Sequence, residues 1–457
     1  MGGGMRPGAG VRNTPIERAS SIDMMQLASE VGPAPSQVGA ILVLDAGSQV
    51  RLGQLRQALA ERIPSIPRLR QQLVRAPLGC GRPTWTDDPA FDVAGHVHEV
   101  RCSAPGTEDD LLRVAADIVT HPLPPGQPLW SATLVSGLKD RSALVIVFNH
   151  VLADGMGGLA VLANLVDGAS RSTDTGFPRP SPSWWQLASD ALTSRARALA
   201  HLWVVPSRVR EALAELRSSD IPAAPRCSLN RPVGSRRALG VARADLGAIR
   251  SAAHAHRATV NDAVLAAVSG AMTTLLAHRG EYVDHFVAMV PVSARTDASA
   301  AGLGNQVGAT PVALPADGDW SQRIEAIAAD TRRHKGSSRG ASAFLLAPLF
   351  RGLAWLGAMR WFTEHQHRVT TFVSNLRGPE TRLSLLGATI NEIIPLVYPV
   401  GNVPVAFGIL SYAGTITVAV IADADACPDL NVLVDGLQHE LDAIRPQQTF
   451  EQEPAAT

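Results

Sequence analysis

The sequence predicts an α/β (α+β) fold built in two halves, and three observations predict it. Apolar, β-branched runs at 38–44, 132–135 and 143–149, and again at 286–292, 370–374, 407–412 and 415–421, read as strands. Between them lie segments with apolar residues at helical spacing, including 52–62, 109–120, 246–256, 259–278 and 320–335. The two sets are separated by 170–183, SRSTDTGFPRPSPS, a linker by composition. At 457 residues, with 46% hydrophobic and 18% charged residues, the chain is globular and long enough for two cores.

Composition excludes several classes of function. The formal net charge is zero, which argues against nucleic acid as the main partner, because phosphate binding needs clustered positive charge. The basic residues are arginines except Lys139 and Lys335, a bias from which no function follows. Cys80, Cys102, Cys227 and Cys427 are far apart and form no C-x-x-C pair. A zinc site or disulfide framework is therefore not expected, and a reducing compartment fits. No local cluster of His, Cys and carboxylates suggests a metal. The opening MGGGMRPGAGVRNTP has no apolar core like that of a signal peptide. Arg6 stands where myristoylation requires Ser or Thr. The segment 1–19 reads as a disordered tail, with Met5 as an alternative start.

In chain order, Ser20 or Ser21 caps a short helix that includes Asp23 and Leu27. The strand 38–44 and the amphipathic helix 52–62 follow, and the chain breaks at Ile63-Pro64. Short strands and connections run through Thr84-Trp85 and 91–100. His96 and His98 alternate there and read as surface or lining positions rather than catalytic ones. Beyond the helix 109–120, Trp130 reads as a packing residue and Lys139-Asp140-Arg141 as a hairpin turn.

In the second half, Trp184-Trp185 opens a helical stretch to about residue 217, and 221–240 is loop-like. Thr259 or Asn261 caps the next long helix, since a side-chain oxygen accepts the free first-turn N–H groups. Capping accounts for one polar residue of Thr259, Asn261 and Asp262, not for their standing together. The stretch 341–362, ASAFLLAPLFRGLAWLGAMRWF, is the most membrane-like helix, but Arg351 and Arg360 interrupt it and argue against a span. Its tryptophans and arginines suit an interfacial helix and, equally, a helix packed on the core. The uncharged run 393–421 is broken by Pro395, Pro399, Gly401, Asn402 and Pro404, and reads instead as a hairpin around Ala413-Gly414. A last helix covers 430–444.

The chemistry concentrates in 143–158, ALVIVFNHVLADGMGG. A core strand ends at Asn149-His150, and a turn with Asp154-Gly155 leads into a helix. A rigid strand end suits a general base, and imidazole takes a proton near neutral pH. Asp154 orients His150 or pins the loop through an arginine, and the glycines permit a tight turn and close approach of substrate. Taken alone, H-x-x-x-D-G is a weak signal, equally at home as a buried histidine beside an Asp-Gly turn.

Asn149-His150-Val151-Leu152-Ala153-Asp154-Gly155 resembles the HHxxxDG motif of the CoA-dependent acyltransferase superfamily. Other segments narrow the resemblance to the bacterial wax ester synthase/diacylglycerol acyltransferase family. They are the opening S-x-x-D-x-x-x-L, Phe91-Asp92 with His96-Val97, Pro128-Leu129-Trp130, Leu229-Asn230 to Arg237, Asn261-Asp262, 291–295, 304–308, 374–379 and 410–429. The match runs from about 20 to 444 in the family's order. Two positions depart from it: Asn149 replaces the motif's first His, and Ser131 replaces an acidic residue.

The resemblance implies two chloramphenicol-acetyltransferase-like domains, each a mixed sheet flanked by helices, with the active-site tunnel between them. On this sequence they would be 20–169 and 236–446, joined by a linker and crossover helix over 170–235, with a tail at 447–457. The implied reaction moves a long-chain fatty acyl group from acyl-CoA to a lipid hydroxyl, of diacylglycerol first and of a long-chain alcohol second. His150 would be the general base and Asp154 would hold the turn, through an arginine such as Arg295. Asn149, Gly155, Asn305, Gln306, Ser374 and Asn375 would line the substrate site, Ser374 and Asn375 as an oxyanion-stabilising pair. Acyl-CoA enters as a substrate, and no cofactor or metal is implied. The protein is expected in the cytoplasm, with peripheral contact at the inner membrane face or at lipid bodies. Three other readings remain: a different alcohol acceptor; because of Asn149, a weakly catalytic lipid-binding or lipid-body paralogue; and a condensation domain of a peptide-synthesis line, disfavoured because the second-half motifs fit the lipid family better.

Overall fold

A computed structural model describes residues 16–45, 50–169, 176–200, 206–207, 209–210, 223–293, 307–334 and 343–444. Arg295, Asn305, Gln306 and most of both tails lie outside the described residues. The first half contributes β1 (Gln37–Leu44), β2 (Gln71–Val74), β3 (Thr84–Asp87), β4 (Val97–Arg101), β5 (Trp130–Leu138) and β6 (Arg141–Asn149). The second contributes β7 (Arg237–Asp245), β8 (His285–Ser293), β9 (Val307–Pro315), β10 (Thr371–Arg377), β11 (Ser384–Leu385), β12 (Ala388–Leu396), β13 (Val405–Tyr412) and β14 (Thr415–Asp423).

Two six-stranded mixed sheets result. The first has the order β11-β12-β1-β6-β5-β4, antiparallel except between β4 and β5. The second has the order β7-β14-β13-β10-β8-β9, with parallel pairs β13/β10 and β10/β8. β2 and β3 form a separate pair. The strand reading of 143–149 holds, because β6 is central in its sheet and apolar on both faces: residues 143–148 are all buried. One close approach fixes its pairing with β1. A Cβ on Gly39 would lie 2.0 Å from the Ile146 carbonyl oxygen, so only glycine fits there.

β11 and β12 come from the second half of the chain yet complete the first sheet, with β12 antiparallel to β1. This exchange joins the halves. One core contains Ile41, Val43, Val145 and Val147 from the first sheet's own strands, Ile394 and Leu396 from β12, and Ala419 and Ile421 from β14. An ion cluster adds to the seam. Arg243 of β7 meets Glu392 of β12 at 2.6 Å and Glu108, at the start of the helix Glu108–Thr120, at 2.8 Å.

The helix Val260–His278 is apolar and long enough for a membrane span, but it is a core helix, packed against Leu430–Ala443 and Trp320–His334. Its start is a capping box, with Thr259 and Asp262 satisfying each other's backbone N–H groups. The membrane-like stretch differs from the sequence expectation of one helix. It forms Ala343–Trp355 and Met359–Glu364, separated at Gly357, whose φ is 68°. Ala358 N–H donates to Leu353 O at 2.8 Å and Gly357 N–H to Ala354 O at 3.1 Å, the Schellman arrangement that ends a helix at a left-handed glycine. Trp355, Leu356 and Trp361 are exposed there, at 86%, 68% and 64%, while Met359 is buried. The helix Ala343–Trp355 packs against Ser21–Ser29. The crossover stretch is a helix over Trp184–Ala200, and 211–217 lies outside the described residues.

Candidate functional site

His150 follows the last residue of β6, and its placement is built from backbone outward. Its N–H donates to Ser36 O at 2.9 Å, just before β1. Asn149 closes the turn: its Oδ1 accepts from Val151 N–H at 2.9 Å, an Asx turn, and its Nδ2 donates to Glu30 Oε1 at 2.9 Å. The same Glu30 oxygen accepts from Ser36 N–H at 3.2 Å. One carboxylate thus ties together the two chain segments that hold His150.

Asp154, 2% exposed, is the N-cap of the helix Gly155–Leu165. Its Oδ1 accepts from Gly157 N–H and its carbonyl from Gly158 N–H, both at 2.8 Å. It therefore holds the turn directly through the helix cap. A Cβ on Gly155 would sit 3.0 Å from Leu376 Cδ1. Missing that atom, Gly155 admits β10 of the second sheet to the turn.

The imidazole of His150 is half-buried and tightly surrounded. Burial lowers its pKa below the ordinary 6.5, against the opposing pull of Asp154 and Asp23. The neutral, proton-accepting form is therefore held at neutral pH. Tyr398, beyond the end of β12, meets the ring edge-on with centroids 5.7 Å apart. The phenol donates to Gln26 Oε1 at 3.4 Å, and burial pushes its pKa up to about 12, so it stays protonated.

Ser374 and Asn375 lie on β10, but strand alternation separates them. Asn375 Nδ2 donates to Asn261 Oδ1 at 3.1 Å. Ser374 shares the other face with Leu376, which touches Gly155. The expected side-by-side oxyanion pair is therefore split, and of the two only Ser374 is on the face turned to the His150 turn. Asn261 is explained as well: Thr259 and Asp262 do the capping, and Asn261 is left to hold Asn375.

Two depressions adjoin this region. One, of about 380 Å³ including open solvent, is lined by Ser36, Tyr398, Arg360 and Thr363 among others. The other, of about 1000 Å³ including open solvent, lies at the carboxyl ends of the parallel strands β10 and β13. It is lined by Asn261, Asn375, Arg377 and Tyr412, with Arg250 at its border. Strand carboxyl ends are where α/β sheets bind ligands.

Trp130 packs as expected: it is buried, and its indole N–H donates to Leu69 O at 2.8 Å. His96 is not a surface residue. It is buried, stacked on Trp130 at 4.7 Å between centroids, with Nδ1 2.9 Å from Trp130 O. Among the described residues no group of three or more His, Cys, Asp or Glu could hold a metal ion. Glu30, Ser36 and Tyr398 escaped the sequence reading, because no local pattern links them to a turn more than a hundred residues away.

The same fold occurs in solved structures. The wax ester synthase/diacylglycerol acyltransferase from Marinobacter aquaeolei VT8 superposes with a TM-score of 0.66 at 21% identity, over 93% of this chain and 98% of that one. The first condensation domain of the calcium-dependent antibiotic synthetase gives 0.61 at 16% identity, over 97% and 98%. They place the chain in the two-sheet acyltransferase and condensation class of folds. Within that class the chain belongs to the wax ester synthase/diacylglycerol acyltransferase family: the catalytic-domain model matches residues 19–264 and the C-terminal-domain model residues 303–445. A relative described as a probable diacylglycerol O-acyltransferase of Mycobacterium tuberculosis (strain ATCC 25618 / H37Rv) is 28% identical over 448 residues, covering 93% of this chain and 91% of its own length. The protein is an acyltransferase.

Proposed function

We propose that this acyltransferase moves a long-chain fatty acyl group from acyl-CoA to the hydroxyl of diacylglycerol, with a long-chain alcohol as the second acceptor. His150 is the general base. It takes the hydroxyl proton as the alcohol oxygen attacks the thioester carbonyl and the C–O bond forms. The tetrahedral intermediate then breaks its C–S bond, and the imidazolium returns the proton to the departing CoA thiolate. No acyl-enzyme is needed. The observation that carries this reading is the placement of His150, held by backbone at a strand end where the two sheets meet, and burial there favours its neutral form. Relatives named as diacylglycerol O-acyltransferases, matched along nearly their whole length, favour the glycerolipid acceptor.

Asp154 is a positioning residue through its cap, and Gly155 shapes the wall by bringing Leu376 in. Ser374 supplies a hydroxyl toward the oxyanion. Asn375, fixed by Asn261, lines the larger depression as the donor's approach. Asn305 and Gln306, outside the described residues, keep only the role that the family resemblance implies for them. The division into 20–169 and 236–446 is kept as the structural one, with β11 and β12 crossing back to the first sheet, whereas the family models are bounded at 19–264 and 303–445. Exposed Trp355, Leu356 and Trp361 support peripheral contact with the inner membrane face or a lipid body, from a cytoplasmic protein.

The test is purified protein with labelled palmitoyl-CoA, offered dioleoylglycerol and hexadecanol separately. Labelled triacylglycerol is the expected main product. No product from either acceptor would remove the transferase reading for these substrates and leave lipid binding in front.

Asn149 carries its own prediction. Asn149→Ala removes the Asx bond and the Glu30 contact, and kcat should fall about tenfold with KM little changed. Asn149→His is expected to alter rate or acceptor preference. Steady-state kinetics on both acceptors check this, and an unchanged profile in both variants would show that the amide does not orient the turn.

A further inference from the structure

The smaller depression borders Tyr398, and Tyr398 borders His150. The depression's two arginines already have carboxylates: Arg360 meets Glu364 at 2.7 Å, and Arg237 lies 3.6 Å from Asp423. A nucleotide polyphosphate gains little from cations whose charge is already balanced. Trp361, 64% exposed, sits beside Arg360 on the helix that walls the depression. This side of His150 therefore suits a weakly polar molecule arriving from an apolar phase, which is the acceptor rather than CoA.

Tyr398 stands between that depression and the imidazole. Its hydroxyl is tethered to Gln26 and Ser36, and Pro399 follows it, which restricts its backbone. The ring is a fixed partition rather than a loose tip. We propose that Tyr398 is the specificity-determining residue on the acceptor side, a partition whose bulk decides which alcohols bring a hydroxyl to His150. This rests on the acyl transfer proposed above. Its phenol stays protonated, so its effect is steric and hydrogen-bonding, not that of a second base.

The experiment compares wild type, Tyr398→Ala and Tyr398→Phe, using palmitoyl-CoA with dioleoylglycerol or hexadecanol. Opening the passage in Tyr398→Ala should raise the dioleoylglycerol to hexadecanol ratio of kcat/KM about tenfold. Tyr398→Phe keeps the ring and should hold the ratio within about twofold. The KM for palmitoyl-CoA should not move in either. An active Tyr398→Ala with the wild-type ratio, or a raised palmitoyl-CoA KM, overturns the proposal. If Tyr398→Ala loses its thermal transition, Tyr398→Trp replaces it. That variant narrows the passage and should cost dioleoylglycerol about tenfold more than hexadecanol, and equal losses overturn the proposal. Wild type inactive on both acceptors is failure of the underlying reading, visible before any variant is compared.

Discussion

His150→Ala is expected to lower acyl transfer on the order of 10³-fold, with the fold intact. The loss is chemical. In the proposed reaction the imidazole takes the proton from the attacking hydroxyl, and an un-ionised alcohol is a poor nucleophile toward a thioester. The fold should survive because the turn is held by backbone and neighbours. The Ser36 O bond uses the main-chain N–H of residue 150, and the bonds of Asn149 to Glu30 and Val151 and of Asp154 to Gly157 remain when the imidazole is removed. Product formation from labelled palmitoyl-CoA, at matched concentrations of folded protein, checks it. Retention of a tenth or more of the rate would assign the proton transfer elsewhere.

The second large effect is on stability. Gly39→Ala should destabilise the protein by about 3 kcal/mol or more, because the new Cβ meets the Ile146 carbonyl oxygen at 2.0 Å. That oxygen belongs to the backbone of the central strand and cannot rotate away. Relief requires β1 and β6 to part, and β6 carries His150. The melting temperature and the transfer rate should therefore fall together. A variant with wild-type melting would mean the two strands pair less closely than described. An alanine at Gly53, where nothing lies within 4 Å of the built Cβ, provides the control.

The strand and helix starts that carry the candidate site were legible because their signals are local. The run 143–149 is apolar at every core position, and β6 is buried on both faces. The cap of the helix at 260 was legible as Thr259 or Asn261, and the structure assigns it to Thr259 with Asp262, which leaves Asn261 for another task. What could not be read depends on tertiary pairing. β7 was missed: its first residues, 237–240, end the segment that reads as loop, and Arg243 and Asp245 interrupt the apolar pattern of the rest. Arg243 is there to meet Glu108 and Glu392 from the first sheet's side of the molecule. β12 was obscured in the same way: Glu392 breaks the run, and nothing in 388–396 says that its partner is β1. Tyr398 follows from β12. Once that strand crosses into the first sheet, the next residues must pass His150, and only the crossing reveals it.

Alternation corrected one chemical reading. Ser374 and Asn375 look like a pair in sequence, yet adjacent residues of a strand face opposite ways. The amide went to Asn261, and the hydroxyl stayed on the Leu376 face.

The account turns on His150 being a neutral base, and the pH dependence of kcat/KM for dioleoylglycerol tests that most directly. Burial places the pKa of His150 below 6.5, so the neutral base predominates from that value upward. The rate should be level through neutral pH and fall tenfold per unit only as pH drops through a midpoint below 6.5. The residual rate of His150→Ala should lack that limb. A midpoint at or above 6.5, or the same acid limb surviving in His150→Ala, would contradict the assignment.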